Sequence, residues 1–400
     1  MKDVVIIDSV RTPIGSLGGT LKNIAADILA AETIKELLKR TELNPNKIDE
    51  VILGQAKQSA DISNIARVAS LRAGIPLEVP GYTVHRQCGS GLQVINNATQ
   101  QIQSENADIV VCGGAESMST APYYVNNVRF GVKAGNIELK DPNTASQPGS
   151  QPYEVYGDLT MGMTAENVAE KYVISREEQD RFALQSQERA RRAINEGRFK
   201  DQIVPLIIQQ KKNSFSFDTD EYPRDTNMEA LGKLKPVFKK EGTVTAGNAS
   251  GRNDGAAALL IMSKEKAVEL GYKNGFRVVA FASAGVDPNY MGLGPIPATK
   301  KALEKANLSI EDIDVIELNE AFAAQALAFF REFKLDPTTE KANPNGGAIS
   351  LGHPIGATGS ILMTKLMHEL NRIKGKYGVV TLCIAGGIGI TTIVERIEIK

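Results

Sequence analysis

A chain of 400 residues is too long for one ordinary hydrophobic core, and its 42% hydrophobic content is enough to fill two or three. Lysine plus arginine (46) nearly balance aspartate plus glutamate (47), so the overall charge gives no reason to expect nucleic acid or an anionic membrane as a partner. No run of about 18 apolar residues occurs, the start at Met1 to Ile7 lacks the apolar core and cleavage site of a signal peptide, and Cys88, Cys112 and Cys383 do not make a disulfide framework; a cytoplasmic protein with free thiols is expected.

Along the chain, short β-branched runs alternate with helical patterns. Val4 to Val10 reads as a strand, Ile24 to Lys39 as a helix, and Glu50 to Leu53 and Ile109 to Cys112 as further strands. That alternation predicts a mainly parallel, helix-covered sheet. After Cys88, Leu92, Ile95, Ala98 and Ile102 fall on one helical face, which would bury against the sheet. Residues from about 119 to 245 differ: Gly-Asn, Asp-Pro and Tyr-Pro-Arg punctuate them and strand-like runs are few. One helix interrupts the stretch, opened by a capping box at Ser175 to Glu178 and expected to stop at Gly197. The alternation then resumes and echoes the first half, with Ile313 to Ile316 matching Ile48 to Ile52, and Gly378 to Cys383 matching Ala107 to Gly114. The expected organisation is therefore one α/β half over 1–118 plus 246–270, an inserted loop domain over 119–245, and a second half over 271–400.

Three segments carry candidate chemistry. Thr83 to Gly91 sets Cys88 between an apolar lead-in and a predicted helix. A helix N-terminus lowers a thiol's pKa and favours thiolate, although a small buried cysteine fits that pattern equally well. Asn345 to Gly359 places His353 in a glycine-rich loop suited to close ligand approach. Cys383-Ile384-Ala385-Gly386-Gly387 follows a strand and supplies a second thiol with turn-forming N–H groups. Only about a dozen residues follow it, too few for a dinucleotide fold. A zinc site is not expected, because the cysteines and histidines do not cluster.

Together with Asn319-Glu320-Ala321-Phe322, these segments resemble the thiolase family over essentially the whole chain. The resemblance implies two βαβαβαββ halves in a five-layered α/β/α/β/α arrangement. The inserted loop domain would cover the active site, in a homo-oligomer, a tetramer before a dimer. It implies reversible CoA-dependent cleavage of 3-ketoacyl-CoA or Claisen condensation of two acetyl-CoA, with acetyl-CoA C-acetyltransferase as the favoured activity. Coenzyme A and acetyl-CoA would be substrates, with no permanently bound cofactor. By the same resemblance Cys88 is the nucleophile, His353 its activating base and Cys383 the acid/base. Asn319 holds an oxyanion water and Ala385 is a backbone oxyanion donor, giving a ping-pong route through an acyl-enzyme. Arg224, Ala246 and Ser250 would contact coenzyme A. Met161, Phe238, Met291, Ala321 and Phe322 would line the thioester tunnel, where ordinary apolar core is the alternative for the two phenylalanines.

Three departures qualify that picture. His85 stands where the family usually has asparagine and is read as a hydrogen-bonding substitute for the amide. Ala385 replaces the first glycine of a Cys-x-Gly-Gly-Gly run, and would strain the second oxyanion hole if that glycine takes positive φ. Thr160, before Met161, is not the histidine usual in short-chain acetoacetyl-CoA thiolases. A decarboxylating condensing enzyme of the same fold would need two histidines or a histidine and asparagine around its cysteine. Of His85, His353 and His368 only His353 sits in a loop motif, and His368 falls within a helical pattern. A non-catalytic relative would have lost a reactive residue, yet Cys88, His353, Cys383 and Asn319 are all present.

Overall fold

The computed structural model describes residues 2–210 and 213–400. Its strands are β1 (Val4–Arg11), β2 (Gly15–Ser16), β3 (Glu50–Gly54), β4 (Gly81–Val84), β5 (Ile109–Ser117), β6 (Leu206–Gln209), β7 (Ser214–Phe217), β8 (Asn253–Ser263), β9 (Asn274–Gly285), β10 (Val315–Leu318), β11 (Tyr377–Ile384) and β12 (Ile388–Glu398). The helices used below are α1 (Ala26–Thr41), α2 (Ile65–Ala73), α3 (Ser90–Gln103), α4 (Met161–Lys171), α5 (Arg176–Asn195), α6 (Pro295–Ala306), α7 (Ala323–Glu332) and α8 (Thr358–Ile373).

The internal echo in the sequence is a real repeat of topology. In the first half β3 pairs in parallel with β4 and β5, β5 runs antiparallel to β8, and β8 antiparallel to β1. In the second half β10 pairs in parallel with β11, β11 antiparallel with β12, and β12 antiparallel with β9. The counterpart of β4 shrinks to a single parallel bridge between Ile316 and Ala342. The two halves join edge to edge where Val5 and Ile6 of β1 pair with Arg277 and Phe276 of β9. The strand order is therefore continuous, β10-β11-β12-β9-β1-β8-β5-β3-β4.

Burial follows side-chain alternation on the strands. One face of the first half packs on α1 and α2 through Leu29, Ile34, Leu37 and Ala69. One face of the second packs on α6 and α7 through Ala302, Leu303, Leu327 and Phe330. Their remaining faces share a middle layer in which Leu92, Ile95 and Ile102 of α3 meet Leu362, Leu366 and Leu370 of α8. This produces the five-layered arrangement that the family resemblance implies, but the expectation of a mainly parallel sheet is corrected. Only β3–β4, β3–β5 and β10–β11 pair in parallel among the described strands, because β8, β9, β1 and β12 run antiparallel to their neighbours through the centre.

The two middle helices touch through small residues. A Cβ built on Gly359 would lie 2.2 Å from the Leu92 nitrogen, and one on Gly91 would lie 2.9 Å from the Ser360 nitrogen. Ser360 Oγ donates to Gly91 O at 2.6 Å, tying the helices at this crossing.

Between β5 and β8 the chain leaves the sheet. Among its described residues the small β6–β7 ladder is the longest strand pairing there, with α4 and α5 as the main helices. The capping box forms as expected: Ser175 Oγ caps Glu178 N, and the Glu178 carboxylate accepts from Ser175 N at 2.8 Å. The helix ends at Asn195, and Gly197 turns the chain at φ 70°. Among the described residues no helix is long and apolar enough to cross a membrane.

Candidate active site

The loops that precede the two middle helices bring the reactive groups together. Cys88 lies two residues ahead of α3, and His353 lies in the loop ahead of α8. Cys383 is near the end of β11, with Ala385 in the turn to β12. All four line one cavity of about 190 Å³, together with Met161, Phe238, Ser250, Met291, Ala321 and Phe322. Phe238 and Phe322 meet edge to face at 6.3 Å and form one wall of the cavity rather than closed core.

His353 is buried, and its ring is fixed by one strong contact, Nδ1 to Thr358 Oγ1 at 2.7 Å. The Thr358 hydroxyl donates its single proton to Pro354 O at 2.8 Å, so it accepts from Nδ1–H. That tautomer leaves the lone pair on Nε2, which has no protein partner among the described residues. Burial lowers the His353 pKa to about 4, so the ring is neutral and able to accept a proton.

The thiols are less acidic than a helix terminus alone would make them. Burial pushes the Cys88 thiol up, against the backbone N–H of Ala385, the charge of Lys57 and its own N–H, which pull it down. The expected lowering at the α3 N-terminus is therefore corrected: removal from water outweighs it. Burial raises Cys383 as well, and the nearby Cys88 adds to that rise. Gln87, immediately before the nucleophile, adopts φ 44° and donates from Nε2 to Ser150 Oγ at 3.1 Å, which holds the turn that presents Cys88.

Ala385 is not among the positive-φ residues, whereas Gly386 and Gly387 are, at 89° and 77°. The left-handed turn begins one residue after the donor. Alanine therefore presents its N–H without the strain considered for it, and the glycine requirement falls on Gly386, where a Cβ would also sit 2.7 Å from Ser150 O.

Other sequence candidates lie outside this cavity. Asn319, at the end of β10, lines a separate small space behind the Gly352–Pro354 segment. Both of its side-chain polar atoms are buried without a protein partner among the described residues. Arg224 stacks on Tyr222 at 5.0 Å and donates to Ala246 O at 3.4 Å. Tyr222 in turn abuts Gly251, so Arg224 and Ala246 sit on the rim beyond Ser250. His85 is exposed and hydrogen bonds Gln87. His368 lies inside α8 and does not line the cavity. Among the described residues no cluster of His, Cys, Asp or Glu could hold a metal ion.

Sequence reasoning missed Glu116, Lys57 and Arg252. Glu116 is fully buried on β5 and ties two loops together, accepting from Ala56 N and Lys57 N at 3.0 Å and from Gly356 N at 2.8 Å. Lys57 and Arg252 line the cavity. Lys57 follows the carboxyl end of a parallel strand, a position where α/β sheets place ligand contacts, and that placement was the available signal.

Comparison with known proteins gives a consistent result. The family model for the thiolase N-terminal domain matches residues 4–265 and that for the thiolase C-terminal domain residues 272–396. An acetyl-CoA acetyltransferase of Syntrophomonas wolfei is 48% identical over 99% of this chain and 100% of its own. The crystal structure of the Bacillus anthracis acetyl-CoA acetyltransferase superposes with a TM-score of 0.95 at 47% identity, covering 99% of each chain. Human mitochondrial 3-ketoacyl-CoA thiolase in complex with CoA gives 0.93 at 45% identity, covering 99% of this chain and 98% of that one. The paired domains, the duplicated sheet and the cavity that joins their loops place this chain in the thiolase family.

Proposed function

We propose that this thiolase, an acyltransferase, cleaves 3-ketoacyl-CoA with coenzyme A, and in reverse condenses an acyl group with acetyl-CoA, through an acyl-enzyme on Cys88. Acetyl-CoA C-acetyltransferase is the favoured activity, as the names of the bacterial relatives suggest. The observation that carries the reading is the convergence of two thiols, a neutral imidazole with a free lone pair and the Ala385 N–H on one mostly apolar cavity.

In the cleavage direction His353 Nε2 takes the Cys88 proton and the thiolate attacks the 3-keto carbon. The alkoxide that forms is met by the new Nε2–H and, as the family resemblance implies, by a water that Asn319 would hold from the space behind the His353 loop. The C2–C3 bond breaks, its electron pair remains on C2, and Cys383 gives C2 a proton, releasing acetyl-CoA. Coenzyme A then enters, Cys383 takes its thiol proton, and the sulfur attacks the acyl thioester. The second oxyanion is met by the N–H groups of Cys88 and Ala385, and Cys88 leaves as thiolate. Two half-reactions through one covalent intermediate give ping-pong kinetics.

Within this reading residues 119–245 form the loop domain that receives coenzyme A. Ser250 lies against the pantetheine arm, and Arg224 with Ala246 lies at the nucleotide end, an arrangement supported by their sequence along the rim. The free enzyme is a homo-oligomer in the cytoplasm. Intact-mass analysis after adding acetyl-CoA tests the nucleophile: a single acetyl adduct on Cys88, absent from Cys88→Ser, is expected. No adduct, or one on Cys112 or Cys383, would overturn the assignment.

A further inference from the structure

The cavity that holds Cys88 has two unlike walls. Met161, Phe238, Met291 and Phe322 form an apolar side, while Lys57 stands among Gln87 and Ser146 on the other. Two cations, Lys57 and Arg252, and no carboxylate line the space among the described residues. Arg252 already has a counter-charge, Asp141 at 3.6 Å, and donates to Thr144 Oγ1 at 3.1 Å. Lys57 does not. It is 6% exposed, donates to the Ser146 hydroxyl, and has no carboxylate within ion-pair distance among the described residues. Glu116 of β5, the acid whose charge acts most strongly on Lys57, is taken up by the backbone N–H groups of Ala56, Lys57 and Gly356.

The other deeply buried lysine shows what such a charge normally requires. Lys365 is paired with Glu317 at 2.8 Å and donates to Gly346 O at 2.7 Å. Burying a cation without a partner is costly, and a bound anion removes that cost. Burial pulls the Lys57 pKa below the ordinary lysine range; Glu116, Cys88 and Asp141 pull it back up, and Arg252 lowers it. The Cys88 interaction places the ammonium at the reacting end of the cavity. The phosphates of coenzyme A are separated from that end by the whole pantetheine arm, so they are not the anion it meets.

Resting on the acyl-transfer reading above, we infer that Lys57 is a specificity-determining residue that receives a carboxylate at the far end of the acyl group, so that the enzyme handles acyl and 3-ketoacyl-CoA thioesters whose chain ends in a carboxylate. The acyl group on Cys88 would extend along the polar wall, with its terminal carboxylate accepting from Nζ. The chemistry at the thioester is unchanged.

The probes are succinyl-CoA and butyryl-CoA, which share a four-carbon acyl chain and differ in ending with carboxylate or methyl. Equilibrium binding is measured on Cys88→Ser, so that no acyl transfer intervenes. Succinyl-CoA is expected to bind at least about tenfold more tightly than butyryl-CoA, the effect of one charge-assisted hydrogen bond in a desolvated site. Adding Lys57→Met should bring the ratio to about one or invert it, and Lys57→Arg should restore the preference for succinyl-CoA. Equal binding to Cys88→Ser, or a ratio that Lys57→Met leaves unmoved, overturns the inference. Thermal unfolding of each variant confirms that a lost ratio comes from folded protein. Mass analysis of the wild type separates the two readings: a succinyl preference in binding without any acyl adduct on Cys88 would refute the nucleophile and leave the Lys57 site standing.

Discussion

Gly359→Ala tests whether the contact between the two middle helices sets the reaction geometry. The added Cβ would sit 2.2 Å from Leu92 N, 2.7 Å from Leu92 Cβ and 2.8 Å from Gly91 C, and real Cβ atoms essentially never approach nearer than 3.0 Å. The helices must therefore separate by at least 0.8 Å, the difference between 3.0 and 2.2 Å, because buried helical backbone cannot rotate out of the way. Overpacking of this kind costs about 1–3 kcal/mol, offset by about 0.5–1 kcal/mol from replacing glycine in a helix, so a net loss of about 1–2 kcal/mol is expected. Cys88 precedes one of these helices and His353 the other, so the same displacement widens the pair that must exchange a proton. A shift of about 1 Å at reacting atoms costs on the order of 100-fold in rate. The assay pairs the urea midpoint with the rate of Cys88 acetylation followed by mass. Gly232→Ala is the control, since a Cβ there meets nothing within 4 Å and should leave both readouts near wild type. A Gly359→Ala protein that acetylates at the wild-type rate would refute the coupling of helix contact to chemistry.

Three further outcomes follow from buried groups. His353 has its pKa lowered from 6.5 to about 4, so its stabilising contribution is fully present above pH 6.5 and is lost as pH falls toward 4. Urea unfolding of wild type against His353→Asn should show a difference that shrinks by about 3 kcal/mol across that window; a difference independent of pH would refute the neutral buried ring. Glu116→Gln leaves one of three loop N–H groups without its acceptor, at about 1–3 kcal/mol, and should slow acetylation because Gly356 adjoins the His353 loop. Unchanged unfolding and acetylation together would remove Glu116 from the site's support. Lys365→Met strands the buried Glu317 and should cost about 3–5 kcal/mol in urea unfolding, most of it recovered by Lys365→Met with Glu317→Leu.

Local signals survived translation into structure where the cause was local. The box at Ser175 and Glu178 caps its helix, and the apolar face from Leu92 to Ile102 packs into the middle layer. The echo between Ile48–Ile52 and Ile313–Ile316 marks equivalent strands, because a duplicated half must repeat its hydrophobic pattern to bury the same face. Environment is another matter. A cysteine ahead of a helix reads as an acidic thiol, but how much water Cys88 loses depends on β11, the turn at Ala385 and the loop around Ser150, all remote in sequence. The φ of Ala385 was equally hidden, since the run Ala-Gly-Gly does not say at which residue the turn begins. Lys57 looked like any loop lysine until the residues around 146 and 252 closed over it.

The position of β1 has a consequence for biosynthesis. It is made well before both of its partners yet lies in the middle of the sheet, pairing with β8 from Val4 opposite Ser263 and with β9 at Val5 and Ile6. Both partners lie some 250 residues downstream, and at roughly 5–20 residues per second the ribosome needs on the order of 10–50 s to supply them. Throughout that interval Val4, Val5, Ile6 and Val10 form an apolar strand with two open edges, the kind of segment that recruits other chains. Yield of this protein on overexpression should therefore depend on elongation rate and on chaperones that hold a nascent unpaired strand, more than on the stability of the finished fold.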